Sequence, residues 1–399
     1  MTIANFDSRL GDRPEPRVAW LIPTAWFCWQ PALSKFARKF TQTTVFTGLW
    51  PGFAKGLEDS LSVEVVGKRK VISLSQAATG YGSTFTALSL GIVNKLLKFK
   101  PDLIFSSSFG IWTMLALLLK PLGKWRVVIA YEGSSPSVDY RGSIMRLFVR
   151  RAMVRAADGC ITNSQAGKAY LTEVLNADEN RVFAQLYQIP PAESLLQDCT
   201  TSVRDPQSRQ PVFLFVGSII PRKGLDLLLQ ACTILQKQGY RDYTLRVVGE
   251  GSQREELEAF CQEHNLSESV QWLGRVDYDR IHTCFQTADI FILPTLEDTL
   301  GLVVFEAMVF GKPVLCSQWA GIKEIVVDGE NGYHFDPNQP EQLAEMMRRL
   351  IDDPALLESM GKRSQQLVAQ YNPDAAAQFL SEVTACVMNS NVCQEVVAT

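Results

Sequence analysis

Two short segments of this 399-residue chain concentrate groups able to hold an anionic ligand. The first, Gly217-Ser218-Ile219-Ile220-Pro221-Arg222-Lys223-Gly224, lies between an aliphatic run and a helical pattern. Gly217 ends that run without a side chain to block a ligand. Arg222 and Lys223 put two cations where a helix starts, an end to which the helix dipole already brings positive charge. A docked anion offsets that cost, and a diphosphate is the natural candidate. A basic loop closed by a glycine is the plainer account. The spacing is not G-x-x-x-x-G-K-[ST], so a Walker loop is excluded.

The second segment runs from Pro294 to Met308 and carries Glu297, Asp298, Gly301 and Glu306. Gly301 lets the backbone approach a ligand, a helix is expected to begin near Leu302, and Glu306 falls one turn into it. The N–H groups of Leu300, Gly301 and Leu302 would then point at a phosphate or sugar. Glu297 and Asp298 also suit a helix N-terminus on electrostatic grounds alone. Glu306 is harder to dismiss, because Val303, Val304, Phe305, Ala307 and Met308 surround it and a buried carboxylate must be paired or hydrogen-bonded.

The elements that must position these groups alternate. Val18–Ile22, Asp102–Phe105, Arg126–Ala130 and Cys160–Thr162 read as buried parallel strands, with helical patterns around Thr84–Lys98 and Ser143–Ala157. Pro190-Pro191 and an aperiodic polar stretch, Gln197 to Gln210, form the expected linker. The alternation restarts with Val212–Val216, a helix face of Leu225, Leu228, Leu229, Cys232 and Leu235, and strands at Leu245–Val248, Val270–Leu273, Ile290–Leu293 and Pro313–Cys316. The predicted fold class is therefore α/β, with two doubly wound, Rossmann-like parallel-sheet domains facing each other across a cleft. The expected domains are residues 1–195 and 210–370, with a C-terminal helix at about 374–390 packing back on the first. Ligands of such sheets sit beyond the strands' carboxyl ends, which is where both segments lie.

Composition narrows the class. The chain is 46% hydrophobic and 20% charged, as expected of a globular enzyme. The charge is asymmetric: residues 1–199 hold 23 Lys+Arg against 15 Asp+Glu, the remainder 16 against 27. A basic first half suggests an anionic partner, although solvated surface lysines and arginines would look the same. The polar, charged first sixteen residues do not fit a secretory signal, and Leu103–Leu119, interrupted by three serines and Gly110, does not fit a membrane span. Nine scattered cysteines without a C-x-x-C pair argue against a disulfide framework or zinc site and favour a reducing cytoplasm. The three histidines, His264, His282 and His334, all fall in the second half, which excludes an N-terminal catalytic histidine.

Taken in order, Gly217…Lys223-Gly224, Val248-Gly249-Glu250-Gly251, Leu273-Gly274-Arg275-Val276, Ala288-Asp289, Gly301-Leu302…Glu306-Ala307-Met308 and Gly311-Lys312-Pro313-Val314 resemble the donor-binding domain of glycosyltransferase family 4, the retaining GT-B group. Gly321–Ile325 and Asp328–Gly332 continue the match. The resemblance covers about residues 210–370 and extends more weakly to Ala157–Ser164. It implies a hexosyltransferase using a UDP- or GDP-linked sugar as co-substrate, with no metal and no other cofactor. The family's two-carboxylate motif maps onto Asp298, near the donor sugar, and Glu306, on the ribose. Lys223 matches the diphosphate-binding lysine. Its partner arginine is replaced by Ser218, so Arg222 is expected to compensate. Gly217, Gly249, Thr299, Leu300, Gly301 and Leu302 would line the donor, with Arg275 and Val276 flanking the nucleobase.

The same resemblance implies that cations and helix amides stabilise the departing diphosphate while its oxygen takes the acceptor proton, retaining configuration. Where the family often has His-Gly, this chain has Tyr131-Glu132-Gly133, so Glu132 either positions or deprotonates the acceptor or merely shapes the loop. Pro23–Trp29 replaces the family's glycine-rich loop, with rings that either stack on an acceptor sugar or pack. Arg146, Arg150, Arg151 and Arg155, beside Met145, Leu147, Phe148 and Val154, together with Lys68-Arg69-Lys70 and Lys95, Lys98 and Lys100, could hold the basic half on an anionic membrane. The expected acceptor is a sugar, lipid-linked or polysaccharide-precursor hydroxyl, at the cytoplasmic face of the membrane, with no nucleic-acid partner. A nucleotide-sugar epimerase on the same fold, or a non-catalytic sugar or nucleotide binder, is the alternative.

Overall fold

The computed structural model describes residues 15–75, 81, 83–191, 196 and 210–389. Of the predicted linker, Pro190, Pro191 and Gln210 are described, and residues 197–209 fall outside the described residues. The described residues form two compact units, one of residues 15–75, 83–191 and 371–389, the other of 81, 196 and 210–370.

The first unit is built on a seven-stranded parallel sheet. In chain order its elements are β1 (Val18–Ile22), α1 (Gln30–Lys39), β2 (Thr43–Thr47), β3 (Ser62–Val65), β4 (Lys70–Ser75), β5 (Ser83–Ala87), α2 (Ile92–Phe99), β6 (Leu103–Ser107), α3 (Ile111–Gly123), β7 (Arg126–Tyr131), α4 (Pro136–Asp139), α5 (Ile144–Ala156), β8 (Gly159–Thr162), α6 (Gln165–Ala169) and β9 (Val182–Ala184). The sheet order is β3-β2-β1-β6-β7-β8-β9, and β4 and β5 pair antiparallel apart from it. Strand alternation sends β1 residues to both faces. Ala19 and Leu21 join Ile104, Val127 and Ile129 against α2, α3 and α5. Trp20 points the other way, stacking on Phe105 with centroids 4.2 Å apart and meeting Phe36 of α1 edge-on at 6.0 Å. The stretch around Thr84 to Lys98 is not one helix: Ser83–Ala87 is strand β5, and the helix begins only at Ile92. Ser-Thr-Phe-Thr is β-branched and aromatic, a composition that suits a pleated strand.

The second unit repeats the plan with β10 (Val212–Val216), α7 (Leu225–Lys237), β11 (Thr244–Val248), α8 (Arg254–Glu263), β12 (Val270–Gly274), α9 (Ile281–Gln286), β13 (Ile290–Leu293), α10 (Val303–Val309), β14 (Val314–Ser317), β15 (Gly332–Phe335), α11 (Pro340–Asp352) and α12 (Pro354–Val368). Its six parallel strands run β12-β11-β10-β13-β14-β15. Phe213, Phe215, Leu245, Val247, Ile290 and Ile292 pack on the apolar stripe of α7, with Leu228 and Leu229 fully buried. Truncating Leu228 to alanine there would cost about 2–5 kcal/mol. The opposite face receives α10 through Val304, Phe305 and Met308.

The chain then returns to the first unit as α13 (Pro373–Met388), which packs on α1. Lys35 bonds Asp374 at 2.9 Å, and Phe379 stacks on Tyr187 at 6.2 Å. Among the described cysteines, Cys28, Cys160, Cys232, Cys261, Cys284 and Cys316 are not disulfide-bonded, whereas Cys386 of α13 is.

Candidate nucleotide-sugar site in the second unit

The strand order of the second sheet reverses at β10, whose neighbours are β11 and β13. A crevice opens at such a switch point, beyond the strands' carboxyl ends. The loop after β10 carries Gly217 to Gly224, and the loop after β13 carries Pro294 to Leu302. Topology alone therefore brings the two candidate segments together.

Local geometry fixes the first loop. Ile219 N–H donates to the Glu250 carbonyl at 2.9 Å, and Gly249 N–H donates to the Gly274 carbonyl at 2.8 Å, tying the ends of β10, β11 and β12 together. Pro221–Lys223 form a single helical turn that Gly224 ends with φ +64°. A Cβ on Gly224 would meet the Pro294 carbonyl oxygen at 2.1 Å, so only glycine lets this turn rest on the end of β13. In return, Leu296 N–H and the Thr295 hydroxyl both donate to the Arg222 carbonyl, at 2.9 and 3.0 Å. The cations are thus set on this turn rather than on the helix itself, which starts at Leu225.

Three charged groups meet where the loops touch. Lys223 donates to Oδ2 of Asp298, and Arg222 lies 3.9 Å from the same oxygen while donating to the Glu297 carbonyl at 2.7 Å. Asp298 is 6% exposed. Burial works to raise its pKa, but the Lys223 ammonium, the Arg222 guanidinium and the Tyr81 hydroxyl together outweigh that and hold the carboxyl below its usual range. Both Glu297 and Asp298 are buried, yet it is the Asp298 carboxylate that meets both cations. Leu300 N–H, expected to face a ligand, contacts Asp298 Oδ1 at 3.4 Å instead. Thr299 N–H donates to the Tyr81 hydroxyl at 3.1 Å.

Glu306 occupies the first turn of α10 and is buried. Burial pushes its pKa up to about 7, and a hydrogen bond from the Tyr278 hydroxyl to Oε1, 2.9 Å long, offsets part of that rise. Tyr278 follows the exposed Arg275 and half-buried Val276 on the loop after β12. Ser218 is exposed at the tip of its loop.

Glu132 belongs to the first unit, at the end of β7. Ser107 donates to its Oε1 at 2.7 Å, and burial raises its pKa against the hydrogen bonds of Ser107 and Gln188. Trp29 is buried against Trp20 and Tyr187, so this ring packs, whereas Trp26 stands 53% exposed. Tyr81 and Tyr278 were not singled out from the sequence. Tyr278 lies three residues beyond Arg275, a place where an aromatic could have been flagged, but Tyr81 is 217 residues from Asp298 and carries no local signal.

Residues 202–367 match the family model for glycosyl transferases group 1. These residues, which lie in the second unit, are similar to the group 1 glycosyl transferases. It is 27% identical over 305 residues to sulfoquinovosyl transferase SQD2 of Arabidopsis thaliana, covering 73% of this chain and 58% of that one. It is 34% identical over 150 residues to 2-deoxystreptamine glucosyltransferase of Streptomyces kanamyceticus, 38% of each chain. The chain spans about half the length of the curated relatives it matches. The fold is shared with Anabaena Alr3699/HepE, solved in complex with UDP and glucose: TM-score 0.69, 18% identity, 93% of this chain and 99% of that one. The fold is likewise shared with a sucrose-phosphate synthase from Thermosynechococcus elongatus at TM-score 0.65 and 20% identity. The group 1 region contains both loops, so the Arg222–Lys223–Asp298 cluster and Glu306 lie inside the matched residues.

Proposed function

We propose that this chain is a retaining glycosyltransferase that moves a hexose from a UDP- or GDP-linked donor to a hydroxyl acceptor. The observation that carries the proposal is the convergence of Arg222 and Lys223 on Asp298 at the β10/β13 switch point, within the group 1 region. Solved neighbours of the same fold hold UDP and UDP-glucose.

In this reading Lys223 and Arg222 bind the donor diphosphate and offset the charge that develops as it departs. Asp298, held ionised, faces the sugar hydroxyls, and Glu306 accepts from the ribose. A leaving phosphate oxygen takes the acceptor proton on the face it vacates, which retains configuration. The two cations supply the positive charge, so the transfer is metal-independent. Glu132 positions the acceptor hydroxyl. Incubation with UDP-, GDP- and ADP-sugars and candidate acceptors, in the presence of a chelator, tests this. Acceptor-dependent nucleotide release and an unchanged anomeric configuration support it. Inversion at the sugar's C2 without transfer supports an epimerase, and binding without turnover supports a non-catalytic binder.

A second proposal concerns where the acceptor is presented. Ile144, Met145 and Phe148 of α5 are 87%, 74% and 73% exposed, and Leu118 and Leu122 of the neighbouring α3 are 67% and 77% exposed. Apolar residues gathered this way on a basic unit fit a peripheral contact with an anionic membrane. No helix among the described residues is long and apolar enough to cross one. Arg150 and Arg151 are less free to reach a headgroup than the sequence suggests, because Arg150 donates to the Asp139 carbonyl and the Tyr170 hydroxyl, and Arg151 to the Val174 carbonyl. A lipid-linked or polysaccharide-precursor acceptor at the cytoplasmic face of the membrane suits this arrangement. Co-sedimentation with anionic vesicles supports the contact, and its absence at low salt removes it.

A further inference from the structure

Tyr81, in the second unit, uses the groups assigned above to the donor. Its hydroxyl donates to Asp298 Oδ1 at 3.1 Å and accepts from Thr299 N–H at 3.1 Å, with the Thr299 hydroxyl 3.2 Å away. One donated and two accepted bonds fill the capacity of a phenol. Its ring lies beneath the Arg222 guanidinium, 3.9 Å from the centroid. The other carboxylate oxygen of Asp298 is taken by Lys223 and approached by Arg222. The two cations, the carboxylate and the loop amide are therefore satisfied among themselves, with Tyr81 as the keystone. Burial, then the adjacent Asp298 charge, raises the Tyr81 pKa, so the phenol stays protonated and donates.

Resting on the donor-site reading, we propose that Tyr81 is a built-in competitor of the donor. Its phenol oxygen stands where a donor oxygen would meet Asp298 and the Thr299 amide, and its ring covers the guanidinium that a diphosphate would engage. The donor must displace Tyr81, so the observed affinity is the intrinsic one reduced by the fraction of molecules in which Tyr81 has let go. Every ligand that must displace Tyr81 is weakened by this same factor, whereas one that leaves Tyr81 in place is not.

The test is calorimetric titration of UDP and GDP into the full-length wild type, Tyr81→Phe, Tyr81→Ala and Lys223→Ala. Tyr81→Phe keeps the ring on Arg222 and removes only the hydroxyl bonds, so it guards against a folding artefact in the alanine variant. The expected result is that both Tyr81 variants bind about tenfold or more tighter than wild type, as loss of the charge-assisted hydrogen bond to Asp298 from the competing state predicts, and that Lys223→Ala binds more weakly. Nucleotide binding that is lost in Lys223→Ala but unchanged or weakened in both Tyr81 variants overturns the competitor role alone. Failure of the wild type and of Tyr81→Phe to bind either nucleotide overturns the donor reading together with it.

Discussion

Lys223 and Asp298 stand on loops that follow different strands, 75 residues apart in the chain, yet the Lys223 ammonium donates directly to a carboxylate oxygen of Asp298. Both side chains are largely shielded, so solvent weakens the pair less than it would on an open surface. A buried carboxylate that loses its partner is left with its desolvation cost, which is why the two residues must be considered together.

Lys223→Ala is expected to weaken nucleoside-diphosphate binding about 10- to 100-fold, the range for a charge-assisted bond worth roughly 1.5–3 kcal/mol. It also leaves Asp298 short of a counter-charge, so the thermal midpoint should fall. Adding Asp298→Asn should restore part of the stability without restoring binding. Calorimetry and thermal melts of the two single variants and the double variant check this, and additive losses of stability would contradict the coupling.

Arg222→Ala tests whether Arg222 makes up for the serine at position 218. The guanidinium is anchored to the Glu297 carbonyl and lies near Asp298, so it is preorganised for a diphosphate. Donor affinity and turnover should both fall, by about tenfold or more if a charged hydrogen bond is lost. Unchanged kinetics would show that Ser218 needs no substitute.

The expected site was partly legible for a physical reason. Central strands of a parallel sheet are buried on both faces, so β1, β6, β7, β10 and β13 appear as plain apolar runs. The loops that follow β10 and β13 are then located by counting. Strands β2 (Thr-Thr-Val-Phe-Thr) and β3 (Ser-Val-Glu-Val), with polar residues among the apolar ones, lack that signature and were not anticipated, and β5 was absorbed into a neighbouring helical pattern. Local sequence left Glu297 and Asp298 equivalent as acidic neighbours. The family resemblance singles out Asp298 by register, and its carboxylate's position relative to two cations from another loop is the physical difference between the two. Tyr81 is the extreme case, since no local pattern links a tyrosine between two strands of a hairpin to a loop 217 residues later.

Glu306 should make the protein pH-sensitive. Its folded pKa, about 7, lies above the ordinary glutamate value of 4.5, so the neutral form is favoured by folding. The associated stability is fully present below the ordinary value and is lost as pH rises through about 7, by roughly 3 kcal/mol at most. Urea melts of Glu306→Gln, which cannot titrate there, should gain on wild type between pH 5 and pH 8. Donor affinity should move the opposite way, rising through the same window as the carboxylate that accepts from the ribose forms. Tyr278→Phe removes a bond that lowers the Glu306 pKa, so its affinity midpoint should shift to higher pH. Parallel pH profiles for all three proteins would contradict this.

Gly224→Ala forces a Cβ against the Pro294 carbonyl in a backbone conformation that alanine resists. A loss of about 1–3 kcal/mol in stability is expected, as for other strained positions. Because the same turn carries Arg222 and Lys223, donor affinity should fall with it. A variant with lower stability and normal donor affinity would show that the turn is scaffolding only.

Glu132→Gln separates the two halves of the proposed reaction. Its carboxyl, just beyond β7, is held by Ser107 at the end of β6, and the isosteric amide can keep that bond. Donor binding should be unchanged while acceptor-dependent turnover drops, by about 10²-fold or more if the carboxylate takes part in proton transfer. Equal loss of both, or of neither, would assign Glu132 to the loop's architecture.

The most direct test of the donor assignment is a crystal structure of the protein with an intact UDP- or GDP-sugar. The diphosphate should sit on Lys223 and Arg222, the ribose hydroxyls on Glu306 and the sugar beside Asp298, with Tyr81 displaced. A nucleotide seated away from the β10 and β13 loops, or one that leaves the Lys223–Asp298 pair untouched, would contradict the account.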